Sequence, residues 1–231
     1  MRISAVMGAY NAAPYVGAAV ESVLAQTMPP FEIIVVDDGS TDGTGDVLRA
    51  FGDRIRLIET ENRGAPTAFA TAVAEASGEG LAFNDADDLW APTKLAVQSA
   101  LLAADPGIDA VFGTVQQFAS PDWAEGAAFG AFPPQPGVSK IGIFVRREAF
   151  LRTGSFDPSY RLMDFPDWYA RASLAGLRAA HHPDLVAHRR LHAGNVGRLR
   201  RDEARNEQLL VLKRRLDLSR RAAGRPPAPP E

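Results

Sequence analysis

Leu81-Ala82-Phe83-Asn84-Asp85-Ala86-Asp87-Asp88-Leu89-Trp90 starts as an apolar run and ends in three carboxylates within four positions, an aromatic residue and then Pro92. The apolar part has the composition of a buried strand. Carboxylates this close repel one another and raise each other's pKa unless positive charge sits among them. Their oxygen-rich grouping suits a hard divalent cation, Mg2+ or Mn2+. A strand ending in Asp-x-Asp places that grouping in the crevice where open α/β sheets bind ligands. A turn or helix N-cap explains the same residues, since Asp is favoured there and Pro92 suits the start of a helix. The flanking sequence bears on the choice.

Upstream, Ile3–Met7, Phe31–Val36 and Ile55–Glu59 are apolar runs, the second strongly β-branched, as in a central parallel strand. With Gly80–Phe83 they make four expected strands. Helical spacing of apolar residues falls between them, over Ala13–Ala25, near Asp46–Phe51 and over Ala65–Ala76. Four strand-helix alternations in under a hundred residues predict a doubly wound, mostly parallel α/β sheet flanked by helices. The polar loop Asp37-Asp38-Gly39-Ser40-Thr41-Asp42 and the acidic cluster then lie at the same edge of that sheet.

Downstream, a helix is expected over Pro92–Ala104, a strand over Ala110–Gln117, a strand over Ile141–Val145 and a short helix over Arg147–Arg152. Asp164–Leu174 resumes helical spacing, and Leu185–Arg190 reads as a last strand. Ala119–Pro136 is rich in Gly, Pro and aromatic residues, and so long a loop in a compact domain suggests a lid or binding loop. Leu199–Arg221 is a charged helix whose apolar part is Leu209, Leu210, Leu212 and Leu216, and the Pro-rich end, Pro226–Pro230, should be disordered.

The 231 residues fit one large α/β domain, or one domain with an appendage. A net charge of −3 gives no global basic excess of the kind that binds nucleic acid. With no cysteine there is neither a disulfide framework nor thiolate chemistry, which suits a cytoplasmic protein. The first apolar run is too short for a signal-peptide core, and no run approaches the length of a membrane span.

Three stretches together resemble the family-2 glycosyltransferases of the GT-A fold: Ser4–Ala13, Glu21–Thr27 continuing through Glu32–Asp42, and Gly78–Trp90 with Pro92 and Lys94-Leu95. Later anchors are Gly154-Ser155-Phe156-Asp157, Asp164, Trp168 and Arg190-Leu191-His192-Ala193-Gly194-Asn195. The resemblance implies one domain over 1–222. Residues 1–100 would be a nucleotide-sugar half, 101–198 an acceptor and catalytic half, and 199–222 a C-terminal helix, with 223–231 as tail. It implies inverting transfer of a sugar from a nucleoside-diphosphate sugar, with a UDP-sugar the first expectation, to an unidentified glycan, lipid-linked, peptide or small-molecule acceptor.

In that pattern Asp87 is the ligand of Mn2+ or Mg2+ and Asp85 faces the ribose, while Asp88 caps the next helix. Ala9, Tyr10 and Asn11 line the nucleotide, with core packing the rival role for Tyr10. The Asp37-Asp38 loop meets the base, with capping of the following helix the rival role for one of the pair. Asp164 falls at the catalytic base, with Asp167 as competitor; an inverting transfer needs one carboxylate to take the acceptor's proton. His192 corresponds to a third metal ligand or diphosphate contact, against the plain alternative of a surface histidine; a neutral imidazole suits manganese. His181 and His182 match nothing in the pattern.

The chain departs from that pattern at Gly8, where Pro is usual, at Phe69, where an Arg usually approaches the nucleotide, at Asn84 and at Met163. Two alternatives follow for the missing Arg: Arg63 covers its role from the preceding loop, or the base is held differently. These departures leave open a catalytically degenerate nucleotide-sugar-binding protein. The Arg content of Leu199–Arg221 suits contact with an acidic membrane surface, whereas its four acidic residues favour packing on the domain or on a second copy in a homodimer.

Overall fold

The computed structural model describes residues 1–121, 123, 132–195 and 199–222. Strands β1 (Ile3–Ala9), β2 (Glu32–Asp37), β3 (Arg56–Glu59) and β4 (Gly80–Asp85) pair in parallel in the order β3-β2-β1-β4. Helices α1 (Ala13–Leu24), α2 (Thr44–Arg49) and α3 (Ala65–Glu75) connect them. Because side chains alternate along a strand, this half of the sheet feeds two cores. Ile3, Ala5, Met7, Ile33 and Val35 pack with Val16, Val20 and Leu48 on one side. Val6, Ile34, Val36, Leu81 and Phe83 pack with Phe69, Ala72 and Val73 of α3 on the other.

After β4 the chain adds β5 (Leu89–Trp90), α4 (Lys94–Ala104), β6 (Ala110–Ala119), β7 (Gln135–Pro136), β8 (Ile143–Arg146), α5 (Arg147–Arg152), α6 (Asp164–Leu174), β9 (Ala179–Leu191) and α7 (Arg201–Ala222). The sheet continues β4-β8-β6-β9-β5. Here β8 runs antiparallel to β4 and β6, β9 is parallel to β6, and β5 is antiparallel to β9.

The last strand is longer than its apolar signal. Ala179-Ala180-His181-His182-Pro183 carries little β propensity, yet its first residues pair with Ala110–Phe112. The register then shifts around Gly113, where an added Cβ would lie 2.2 Å from Val186 Cγ1. Only glycine permits that approach.

The expected long loop begins after Ala119, with β7 pairing to β6 near its far end. The core of that lid-like segment, 122 and 124–131, lies outside the described residues, as do the Pro-rich tail and 196–198. Helix α4 starts at Lys94 rather than Pro92, because Gln26 accepts from the Leu95 amide and donates to the Ala91 carbonyl, holding 91–93 as a turn. The Lys94 ammonium is fully buried and donates to Gln98 Oε1 (2.9 Å) and the carbonyls of Ile141 (3.0 Å) and Ile143 (3.3 Å). Burial pushes its pKa down to about 7. Helix α7 packs on α6 through Val211, leaving Leu209, Leu210, Leu212 and Leu216 exposed. Among the described residues no helix is long and apolar enough to cross a membrane.

Candidate active site

The acidic turn is anchored at both ends. Asn84 Nδ2 donates to the Asp88 carbonyl (3.2 Å), and the Asp88 amide donates to the Asp85 carbonyl (3.2 Å). The unusual Asn84 therefore closes the turn. From β9, the Arg190 amide donates to Asp88 Oδ1 (2.7 Å) and its Nε to the Asp87 carbonyl (2.9 Å). Directly after Asp88, β5 pairs with β9. These bonds aim Asp85 and Asp87 outward and bury Asp88. Burial, then the neighbouring Asp87 and Asp85 carboxylates, hold the Asp88 carboxyl well above the usual range. Asp88 does not cap the next helix: Thr93 occupies that position, and Asp88 joins the turn to β9.

Asp87 Oδ2 stands 3.0 Å from His192 Nε2 and accepts from Asn195 Nδ2 at 3.2 Å. His192 is no solitary surface histidine: its ring lies 4.5 Å from that of Tyr15, and its side chain is 12% exposed. A carboxylate oxygen and an imidazole nitrogen side by side are a donor set that suits Mn2+, and these two side chains would hold such an ion. Among the described residues no group of three His, Cys, Asp or Glu side chains forms a cage. A magnesium-type site does not require one, since it uses one or two protein ligands and fills the rest with phosphate oxygens and water.

On the opposite wall, the loops after β1 and β2 are stitched together. The Asn11 amide donates to Ser40 Oγ (2.9 Å), and the Thr41 amide to Asn11 Oδ1 (2.8 Å). Asn11 has φ 46°, a conformation Asn tolerates better than most residues. Tyr10 is 51% exposed, so its ring is not core packing. Asp37 Oδ1 accepts from the Ser40 amide (3.0 Å), closing its own turn. Both oxygens of buried Asp38 are engaged by the amides of Arg63 (2.9 Å) and Gly64 (2.7 Å). Asp38 thereby holds the 62–64 loop against the site, with the Arg63 side chain exposed at the rim. Ala9 is buried, and its carbonyl accepts from the Asp38 amide (2.8 Å).

Asp164 opens α6, and its Oδ2 pairs with Lys140 Nζ at 3.1 Å. The same ammonium stands 3.4 Å from Asp85 Oδ1 and 4.0 Å above the Phe69 ring. Burial raises the Asp85 carboxyl, and Asp87 and Asp164 add to the rise against the pull of Lys140. Burial alone would lower the Lys140 ammonium, but Asp164 and Asp85 more than offset it, so its pKa lies above the ordinary lysine value. Asp167 is engaged elsewhere, buried between Arg171 (2.8 Å) and Arg214 (3.1 Å). Glu207 of α7 accepts from the amides of Arg161, Leu162 and Met163, the three residues before Asp164. His181 stacks on Phe112, outside this group of residues.

Lys140 and Glu207 escape sequence reasoning. Lys140 is a lone cation in a weakly patterned stretch. For Glu207 a signal exists: Glu207, Val211 and Arg214 recur at helical spacing and form the inward face of α7. The departures at positions 8 and 69 prove to be linked, since an added Cβ on Gly8 would lie 3.3 Å from Phe69 Cε2.

A family model described as "Glycosyl transferase family 2" matches residues 4–158. The chain is 42% identical over 100 residues to the putative teichuronic acid biosynthesis glycosyltransferase TuaG of Bacillus subtilis, covering 42% of this chain and 40% of that protein. It is 29% identical over 203 residues to the Escherichia coli UDP-Glc:alpha-D-GlcNAc-diphosphoundecaprenol beta-1,3-glucosyltransferase WfaP, covering 84% and 79%. Against relatives at 40 to 46% identity, the match spans only 31 to 40% of their length. Among solved structures, mannosyltransferase PcManGT from Pyrobaculum calidifontis, in complex with GDP-Man and Mn2+, gives a TM-score of 0.67 at 25% identity over 99% of this chain and 66% of that one. Residues 1–349 of S. aureus TarS, in complex with UDP-GlcNAc, give 0.69 at 20% identity, over 84% and 60%. That second likeness concerns the GT-A fold alone.

Proposed function

The chain belongs to glycosyl transferase family 2, and from that premise we propose that it moves a sugar from a nucleoside-diphosphate sugar to an acceptor hydroxyl with inversion at the anomeric carbon. The observation that carries this reading is the convergence of Asp85 and Asp164 on one ammonium, at 3.4 and 3.1 Å. It brings the donor-side acidic turn and a carboxylate on a separate helix to the same cleft.

In this reading Ala9, Tyr10, Asn11, the Asp37-Asp38 turn and the Arg63 loop line the nucleotide, and Asp85 faces the ribose. Asp87 and His192 would hold Mn2+ or Mg2+. The bound ion supplies positive charge against the departing diphosphate. Asp164 takes the proton of the acceptor hydroxyl as its oxygen bonds to the anomeric carbon. The bond from that carbon to the diphosphate breaks on the opposite face, and the nucleoside diphosphate leaves. Residues 1–100 serve the donor and 101–198 the acceptor side.

UDP-sugars are the first donors to try, supported by the name of WfaP, with GDP-mannose next. The name of WfaP also favours a lipid-linked acceptor. The test is hydrolysis of UDP-glucose, UDP-GlcNAc and GDP-mannose with and without Mn2+. Metal-dependent release of nucleoside diphosphate, abolished in Asp87→Ala, supports the reading. Binding of the same sugars without any release would instead favour a nucleotide-sugar-binding protein that has lost turnover.

A further inference from the structure

Lys140 occupies a built position. Its side chain is 12% exposed, and the buried ring of Phe69 lies under its ammonium at 4.0 Å, with Phe156 at 5.9 Å. An aromatic face attracts a cation and presents no competing acceptor. The perch itself is fixed. Phe69 fits close to the chain because residue 8 has no Cβ. The backbone beside Lys140 is held from α4, by Lys94 Nζ on the Ile141 carbonyl (3.0 Å) and Gln98 Nε2 on the Gly142 carbonyl (2.8 Å). From this support the ammonium reaches two carboxylates on different elements, Asp85 at the end of β4 and Asp164 at the start of α6. Two carboxylates brought into one cleft repel each other, and a cation placed between them removes that repulsion.

We infer that Lys140 is a positioning residue for transfer: perched on Phe69, it ties Asp164 to the donor-side turn and so sets where the acceptor's proton is taken. The inference rests on the reading of Asp164 as the base. Lys140 acts through Asp164, so its removal misplaces the carboxylate without emptying the donor pocket. A misplacement of about 1 Å costs roughly a hundredfold in rate.

The experiment compares the parent protein with Lys140→Met, Lys140→Gln, Lys140→Arg, Asp164→Asn and Lys140→Met/Asp164→Asn. It reads hydrolysis of UDP-glucose, UDP-GlcNAc and GDP-mannose with Mn2+, thermal shift with UDP and Mn2+, and melting temperature. Lys140→Met and Lys140→Gln should lower kcat about 10- to 100-fold, with KM for the donor changed less than about twofold and the UDP shift retained. Lys140→Arg should recover most of the rate. On the Asp164→Asn background Lys140→Met should add less than about twofold, because residues acting as a unit are not additive.

Losses that multiply in the double variant would overturn the inference, as would an effect confined to KM or a full rate in both Lys140→Met and Lys140→Gln. A full rate in Asp164→Asn, or no hydrolysis by the parent protein, removes the base reading and the Lys140 role with it. Should Lys140→Met fail to fold, Lys140→Gln and Lys140→Arg decide: a normal rate in the Gln variant, or loss in both, counts against the inference.

Discussion

Asp164 and Asp167 lie one turn apart on α6 and belong to separate ion-pair groups. Asp164 pairs with Lys140 at 3.1 Å beside the acidic turn, and Asp167 with Arg171 at 2.8 Å and Arg214 at 3.1 Å. The same substitution at the two positions should therefore have opposite effects. Asp164→Asn should lower turnover by about 10²- to 10⁴-fold, the range of a lost general base, with a smaller loss of stability because Lys140 keeps Asp85 as a partner. Asp167→Asn removes the charge of a buried carboxylate that holds two arginines and should cost about 1.5–3 kcal/mol of stability, while its folded fraction turns over near the parent rate. Urea unfolding and donor hydrolysis, measured on both, separate a base from a brace.

The Asp87–His192 pair predicts a coupled loss of cation and nucleotide affinity. With Mn2+ and UDP at about a hundred times the dissociation constant, the parent protein should gain about 2.7 kcal/mol. A hundredfold weaker site leaves about 0.4 kcal/mol at the same concentrations. Asp87→Ala and His192→Ala should each fall toward that value while keeping the parent's circular dichroism. A parent-sized shift in either variant would remove that residue from the site.

Glu207 joins α7 to the turn that presents Asp164. Glu207→Ala leaves three amides without their acceptor and should cost about 2–4 kcal/mol. It should also slow hydrolysis in protein that remains folded, whereas Leu209→Ser, at an exposed position on the same helix, should change neither. Equal effects from the two would make α7 a general scaffold.

Lys94 gives a pH signature. Its folded pKa is about 7, below the ordinary lysine value of 10.5, because the charged form is buried. Between those values the unfolded chain holds a proton that the native state has released, so this residue makes stability rise with pH across that window. The slope is at most about 1.4 kcal/mol per pH unit. Below pH 7 both states hold the proton, and the burial penalty is fully present. Denaturant unfolding between pH 7 and 9.5 should show the parent gaining on Lys94→Met as pH rises. Parallel curves would mean that the three hydrogen bonds of the ammonium keep it charged.

The parallel half of the fold is legible because β1, β2 and β4 are buried on both faces and read as continuous apolar runs. The acidic turn is legible because three Asp in four positions are unusual at a strand end. What joins the turn to its partners is not legible. Asp87 and His192 are 105 residues apart, and only their order along a resembled pattern suggests that they meet. Strand β5 is two residues long and exists because β9 lies alongside it. The first half of β9 is hidden by Pro183 and by alanines without strand preference. Lys140 is invisible for another reason: its position is defined by an aromatic ring and two carboxylates drawn from three other elements.

The stitching of the acidic turn to Arg190, His192 and Asn195 has a consequence for the order of biosynthesis. A nascent chain that has emerged only through β5 carries every aspartate of the motif but none of these partners. Its ability to recognise a divalent ion should therefore appear late, once the ninth strand has closed over the turn. Ion occupancy would then report a finished molecule, and truncated products would stay silent.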